Sequence, residues 1–211
     1  TPELKTEFFK AIASGFNPDP LAVEQAAKRY AQSQEPGDLI AMVDAAHPPR
    51  QELFRRLNRV PAGCATLVKM REALLQSLAK DRGLKAVDSD LEHLLASWFN
   101  PGFLRLERIS WESPAGLLEQ IIQHEAVHEI DGWADLRRRL EPDRRLFAFF
   151  HPALPKEPLI FVEVALLHEI PGSIAPLLDR KSTPEPSTKP YKVAAFYSIS
   201  NCQQGLKGVH L

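Results

Sequence analysis

His124-Glu125-Ala126-Val127-His128 matches H-E-x-x-H letter for letter. On a helix, histidines four residues apart share one face, so both imidazoles would reach one Zn²⁺ with Glu125 as general base of a hydrolase. Such a site needs a third ligand. The metzincin spacing is not met, because its positions hold Asp131 and Ala134, and no glutamate follows at the thermolysin-like distance, where Ala148 stands and Glu157 comes next. The alternative is a helix C-terminal turn whose histidines favour the negative end of the dipole and face solvent. His151, closing an aromatic run before Pro152, has the chemistry of a general base or of a structural histidine. Cys202 stands at a turn after an apolar run, where a nucleophile would be exposed, but no base is paired with it. Arg137-Arg138-Arg139 and Arg144-Arg145 would suit phosphates; offset by Asp135, Glu141 and Asp143, they also read as a solvated helix face.

The elements that must position these groups fall into two parts. From residue 1 to about 98 the pattern is helical, with Leu4, Phe8, Ile12 and Phe16 at three-to-four spacing. Pro20, Pro36 and Pro49 mark the starts of further helices. A longer helix is expected from near Cys64 to Leu84, with Leu67, Met70, Leu74, Leu75 and Leu78 on one side, and a sixth from Val87 to Trp98. This reads as a helical bundle. After Asn100-Pro101-Gly102 the period changes: Phe103–Ile109 alternates as a half-buried strand, and Ser113-Pro114 caps a helix carrying Leu117, Leu118, Ile121 and Ile122. A short polar helix spans Trp133–Leu140. The runs 145–151 and 158–166 read as an antiparallel hairpin, Gly172-Ser173 starts a short helix, 182–190 reads as a mobile loop, and Val193–Ser200 as one more buried strand. The expectation is therefore an α+β chain, with a helical domain over 1–98 and a partial α/β sheet domain over 99–211 that stops abruptly, as in a cut enzyme.

Composition narrows the function classes. The 211 residues carry 26 basic and 27 acidic side chains for a formal charge of −1, and 44% are apolar. A near-zero net charge argues against nucleic acid or an anionic membrane as general partner. The two cysteines form no C-x-x-C pair, which suits a reducing compartment. The N-terminal residues show no secretory signal, and no run approaches a membrane span. The expected location is a cytoplasm or an equivalent lumen.

Several uncommon segments then occur in order: Leu94–Leu104, Glu125–Ile130 with Trp133 and Leu136–Leu140, Phe147–Pro155, Glu157–Ala165, Phe196–Ser200 and Gln203–Val209. Together they resemble malonyl-CoA decarboxylase over most of residues 52–211. The resemblance implies a helical N-terminal domain used for self-association and a catalytic domain of acetyltransferase-like fold. In that fold a strand runs into a phosphate-cradling loop and a helix, whose backbone N–H groups grip the CoA pyrophosphate. Lys207-Gly208-Val209-His210-Leu211 is the placement here, and it departs from the pattern by carrying His210 where a close-packed glycine is usual.

The resemblance further implies a carboxy-lyase that converts malonyl-CoA to acetyl-CoA and CO₂ through an enolate that is then protonated, as part of fatty-acid metabolism. It calls for no metal, flavin or biotin, the CoA thioester being the substrate. The family's principal serine and histidine are expected beyond residue 211; Ser198 matches a serine that lines the active site, and His210 falls at another lining position. A bacterial form would be cytoplasmic, with mitochondrial, peroxisomal or cytosolic forms as alternatives. A CoA-dependent acyltransferase, a zinc hydrolase using His124, Glu125 and His128, and a non-catalytic oligomerisation module are the competing readings.

Overall fold

The computed structural model describes residues 2–179 and 189–211. The chain divides into two compact units, Thr1–Asn100 together with Gln204–Leu211, and Pro101–Gln203. Residues 204–211, expected with the sheet, make their contacts with the helices instead.

The first unit is built from α1 (Pro2–Gly15), α2 (Pro20–Ser33), α3 (Pro36–Ala46), α4 (Pro49–Asn58), α5 (Gly63–Ser77) and α6 (Lys85–Trp98). Proline opens the first four, where its preset φ fits the helix and its missing N–H costs nothing. Asp19 caps α2 by accepting the Leu21 N–H at 3.0 Å. The apolar stripe of α1 is displaced from the expected one. Leu4 is 69% exposed, whereas Phe9 and Ile12 are buried with Phe54, Leu67, Leu74, Leu91 and Leu95. The expected long helix to Leu84 breaks after Ser77, because the Asp81 carboxylate accepts the Gly83 N–H at 2.9 Å and holds a short 3₁₀ turn over Arg82–Leu84. The buried face of α5 is Leu67, Val68, Arg71 and Leu74, with Met70 only half-buried.

The second unit is a four-stranded antiparallel sheet in the order β1 (Arg105–Ile109), β2 (Arg144–Phe150), β3 (Ile160–Leu167), β4 (Val193–Asn201). The β2–β3 pair is the expected hairpin. Helices α7 (Ala115–His124) and α8 (Gly132–Arg139) connect β1 to β2, and a single turn, α9 (Ala175–Leu178), follows β3. Ile109, Leu118, Ile121, Ile130, Leu136, Leu146, Ala148, Phe150, Phe161 and Cys202 form its core. β4, expected as a buried strand, is buried on one face only and ends the strand order; Phe196 is 69% exposed. The loop expected over 182–190 lies, as far as residue 188, outside the described residues.

Candidate functional site

A register shift shapes the sheet end of the site. Glu163 pairs with Ser198 and Val164 with Phe196, which leaves Tyr197 as the extra residue of a β-bulge. The alternation of β4 therefore breaks at Tyr197-Ser198, and both side chains turn to the inner face, while Phe196 and Ile199 turn outward. Ser198, 3% exposed, brings its Oγ within 2.8 and 2.9 Å of the two oxygens of Glu125, and the Ser200 hydroxyl donates to Glu125 Oε2 at 3.1 Å. Glu125 Oε1 also accepts the backbone N–H groups of Val127 and His128, each at 2.8 Å. Ser198 is thus held by a buried carboxylate.

Next to it lies a second buried charge system. Glu163, 1% exposed, accepts from Arg139 Nη1 at 2.6 Å, and Arg139 Nε reaches Asp135 at 3.2 Å. Desolvation pushes the Glu163 carboxyl up to about 7; the Arg139 charge opposes the rise, and Glu125 adds to it. Burial, reinforced by the Glu163 charge, raises the Tyr197 phenol. Neither Glu163 Oε1 nor Tyr197 Oη makes a hydrogen bond of ordinary length. His128, Glu129, Asp135, Arg139 and Leu178 line a small cavity of about 180 Å³.

The H-E-x-x-H segment does not form the geometry that zinc needs. α7 ends at His124, and Glu125 is its extended C-cap with φ −67° and ψ 110°. His128 lies in the following loop, its ring tilted against Tyr197 at 6.5 Å. The two histidines therefore share no helical face, and the carboxylate that would act as general base is engaged by two hydroxyls and two amides. The expected solvated arginine face is also corrected. Arg138 makes a two-point pair with Asp143 at 2.7 and 2.9 Å, Arg144 pairs with the same carboxylate at 2.5 Å, and all three side chains are buried. Arg137 instead covers the Trp111 ring at 4.8 Å. His151 accepts the Ala153 N–H on Nδ1 at 3.1 Å and so ties the turn after β2. Cys202 is buried, and desolvation pushes its thiol up to about 12, which removes the thiolate a nucleophile requires.

In the first unit the chain after β4 forms a 3₁₀ turn over Gln204–Leu206. Gly205 lies against α5 so closely that a Cβ would meet the Val68 carbonyl oxygen at 1.9 Å, so only glycine fits. Gly208 has φ +87°, in the left-handed region that favours glycine. Lys207, Gly208 and His210 are exposed, and Val209 and Leu211 half-buried. Arg71 holds the turn from below. Its Nη1 donates to the carbonyls of Gly205 and Lys207 at 3.0 and 2.7 Å. Sequence reasoning missed Arg71, Glu125 as a structural carboxylate, and the Arg139–Glu163 pair. Their partners are distant along the chain, and no local spacing signals them.

Residues 16–99 match the family model described as the malonyl-CoA decarboxylase N-terminal domain, and residues 102–211 the one described as the malonyl-CoA decarboxylase C-terminal domain. Mitochondrial malonyl-CoA decarboxylase of Anser anser anser is 37% identical over 224 residues, covering 98% of this chain and 44% of that protein. The crystal structure of malonyl-CoA decarboxylase from Rhodopseudomonas palustris is 50% identical with a TM-score of 0.88, over 98% of this chain and 50% of that one. The Agrobacterium vitis structure is 48% identical with a TM-score of 0.91, over 100% and 51%. The chain spans about half the length of these relatives. With both halves matched in order and the fold shared along the whole length, this chain belongs to the malonyl-CoA decarboxylase family.

Proposed function

We propose that the protein to which this chain contributes decarboxylates malonyl-CoA to acetyl-CoA and CO₂. The observation that carries the reading is the turn after β4. Gly208, exposed and at φ +87°, carries no side chain, Lys207 beside it brings an exposed positive charge, and the turn stands at the point where the resemblance calls for a pyrophosphate cradle. Lys207, Gly208, Val209, His210 and Leu211 are its substrate-binding residues in this reading.

Ser198 is an active-site-lining residue by the resemblance, and within the sheet unit its hydroxyl is committed to Glu125, which makes it a positioned hydroxyl rather than a nucleophile. Loss of CO₂ leaves an enolate on the acetyl thioester, so the site must stabilise charge on the thioester oxygen and protonate the carbon. Preorganised donors at that oxygen are worth about 3 kcal/mol each. The principal serine and histidine of that chemistry are not assigned to any residue of this chain. The reaction needs no cofactor in this reading.

The helical unit is proposed to self-associate. α3 buries none of its residues, and Ile40, Val43 and Leu21 of the α2–α3 pair are exposed. No helix among the described residues is long and apolar enough to cross a membrane; a cytoplasmic location is proposed for a bacterial source. The test is incubation of the full-length protein with malonyl-CoA, with acetyl-CoA and CO₂ as the expected products. Turnover of malonyl-CoA into neither would overturn the reading.

A further inference from the structure

We infer that Arg71 is a positioning residue that aims the Gly208 amide at the substrate phosphates, acting through the backbone and not through its own charge. The inference rests on the reading of 205–211 as the CoA cradle. Arg71 lies in the middle of α5, 1% exposed, among apolar neighbours, which is a costly place for a guanidinium.

Its N–H groups are nearly all assigned. Nε donates to Asp88 Oδ1 at 2.8 Å and Nη2 to Glu92 Oε2 at 2.8 Å, so two carboxylates offset the charge. Nη1 is spent on two carbonyls of the loop, Gly205 and Lys207. In a trans peptide the C=O of one residue and the N–H of the next point in opposite directions. With the Gly205 and Lys207 carbonyls turned in toward Arg71, the N–H groups of Leu206 and Gly208 are turned away from it. Two carbonyls are thereby removed from the side an anion would approach; Leu206 is buried, so the donor presented there is the N–H of the exposed Gly208.

The neighbours fix this choice. Gly205 is pressed on the Val68 carbonyl, and the space a Cβ would need at Gly208 is bounded by Glu92 Oε1 at 3.0 Å, on the same carboxylate that Arg71 Nη2 holds. The loop therefore cannot readily turn its peptide planes over while Arg71 is in place. Fixing that donor before the ligand arrives removes an ordering cost from binding.

The test compares Arg71→Lys, Gly208→Ala and the unaltered full-length protein with two substrates, malonyl-CoA and malonyl-pantetheine, which lacks the pyrophosphate. Lysine keeps the charge but not the fork. Loss of a charge-assisted hydrogen bond at each carbonyl predicts a rise of about tenfold in KM for malonyl-CoA, with kcat within about twofold and malonyl-pantetheine unaffected. A merely structural arginine would change both substrates alike. If Gly208→Ala lowers the preference for malonyl-CoA and Arg71→Lys does not, the inference about Arg71 is wrong and the cradle stands. If neither variant changes that preference, the cradle reading itself fails and takes the inference with it. Should Arg71→Lys lose its cooperative melt, Glu92→Gln decides. It loosens one arm of the fork and is expected to raise KM for malonyl-CoA about threefold; no change there overturns the inference.

Discussion

Glu163 is a carboxyl that the folded chain holds against its preference for ionisation. Its value rises from 4.5 to about 7, with desolvation as the main cause. Between those two pH values the folded state binds a proton that the unfolded state has released, so stability is fully present below about pH 4.5 and is lost as pH rises through about 7. At about 1.4 kcal/mol for each tenfold change in proton affinity, the gap comes to roughly 3 kcal/mol. Glu163→Gln removes the titration while keeping the shape. It also weakens the contact with Arg139, but that loss is a constant offset and cancels when the pH dependence alone is compared. Urea unfolding of the sheet unit, followed by Trp111 and Trp133 fluorescence in a Trp98→Phe background, gives both curves. The variant should gain about 3 kcal/mol on the unaltered protein between about pH 4.5 and pH 8.5. A difference that stays flat across that range would refute the assignment of a neutral, buried Glu163 and with it the weight given to desolvation over the Arg139 charge.

Gly208→Val should raise KM for malonyl-CoA about tenfold or more while the protein stays folded, because a β-branched side chain at φ +87° forces the exposed turn to shift; an unchanged KM in a folded variant speaks against the cradle. Changing His124 and His128 together to Gln should leave turnover nearly intact, and metal analysis of the purified protein should find no stoichiometric zinc; activity lost in the variant and tied to zinc would reverse this. Ile40→Glu with Val43→Glu should shift the full-length protein toward smaller species in light scattering at micromolar concentration, and an unaltered protein already monomeric there would contradict self-association through the helices.

Local chemistry made much of the fold legible. The prolines at 20, 36 and 49 open α2, α3 and α4, and the paired apolar runs around Pro152–Pro158 form the β2–β3 hairpin. What failed was set by distant partners. His124-Glu125-Ala126-Val127-His128 has no local breaker. The helix ends there because the Glu125 carboxylate folds back on the amides of Val127 and His128 and takes hydroxyls from Ser198 and Ser200, 73 and 75 residues away. The bulge at Tyr197 is equally silent, since Val193–Ile199 is apolar at nearly every position and gives no alternation to break. Arg71 reads as one charge on an ordinary amphipathic helix, and only the return of the chain 134 residues later gives it carbonyls to bind. The arginine run misled for the same reason. Asp135, Asp143 and Glu163 bury it in pairs, where a count of charges suggested solvent.

The most direct measurement supplies the full-length protein with malonyl-CoA labelled with ¹³C in its free carboxyl group and follows the label. The account predicts that all of it leaves as CO₂ and that unlabelled acetyl-CoA accumulates in equal amount. Transfer of an intact, labelled malonyl group to an acceptor with release of free CoA, or hydrolysis to labelled malonate, would contradict it.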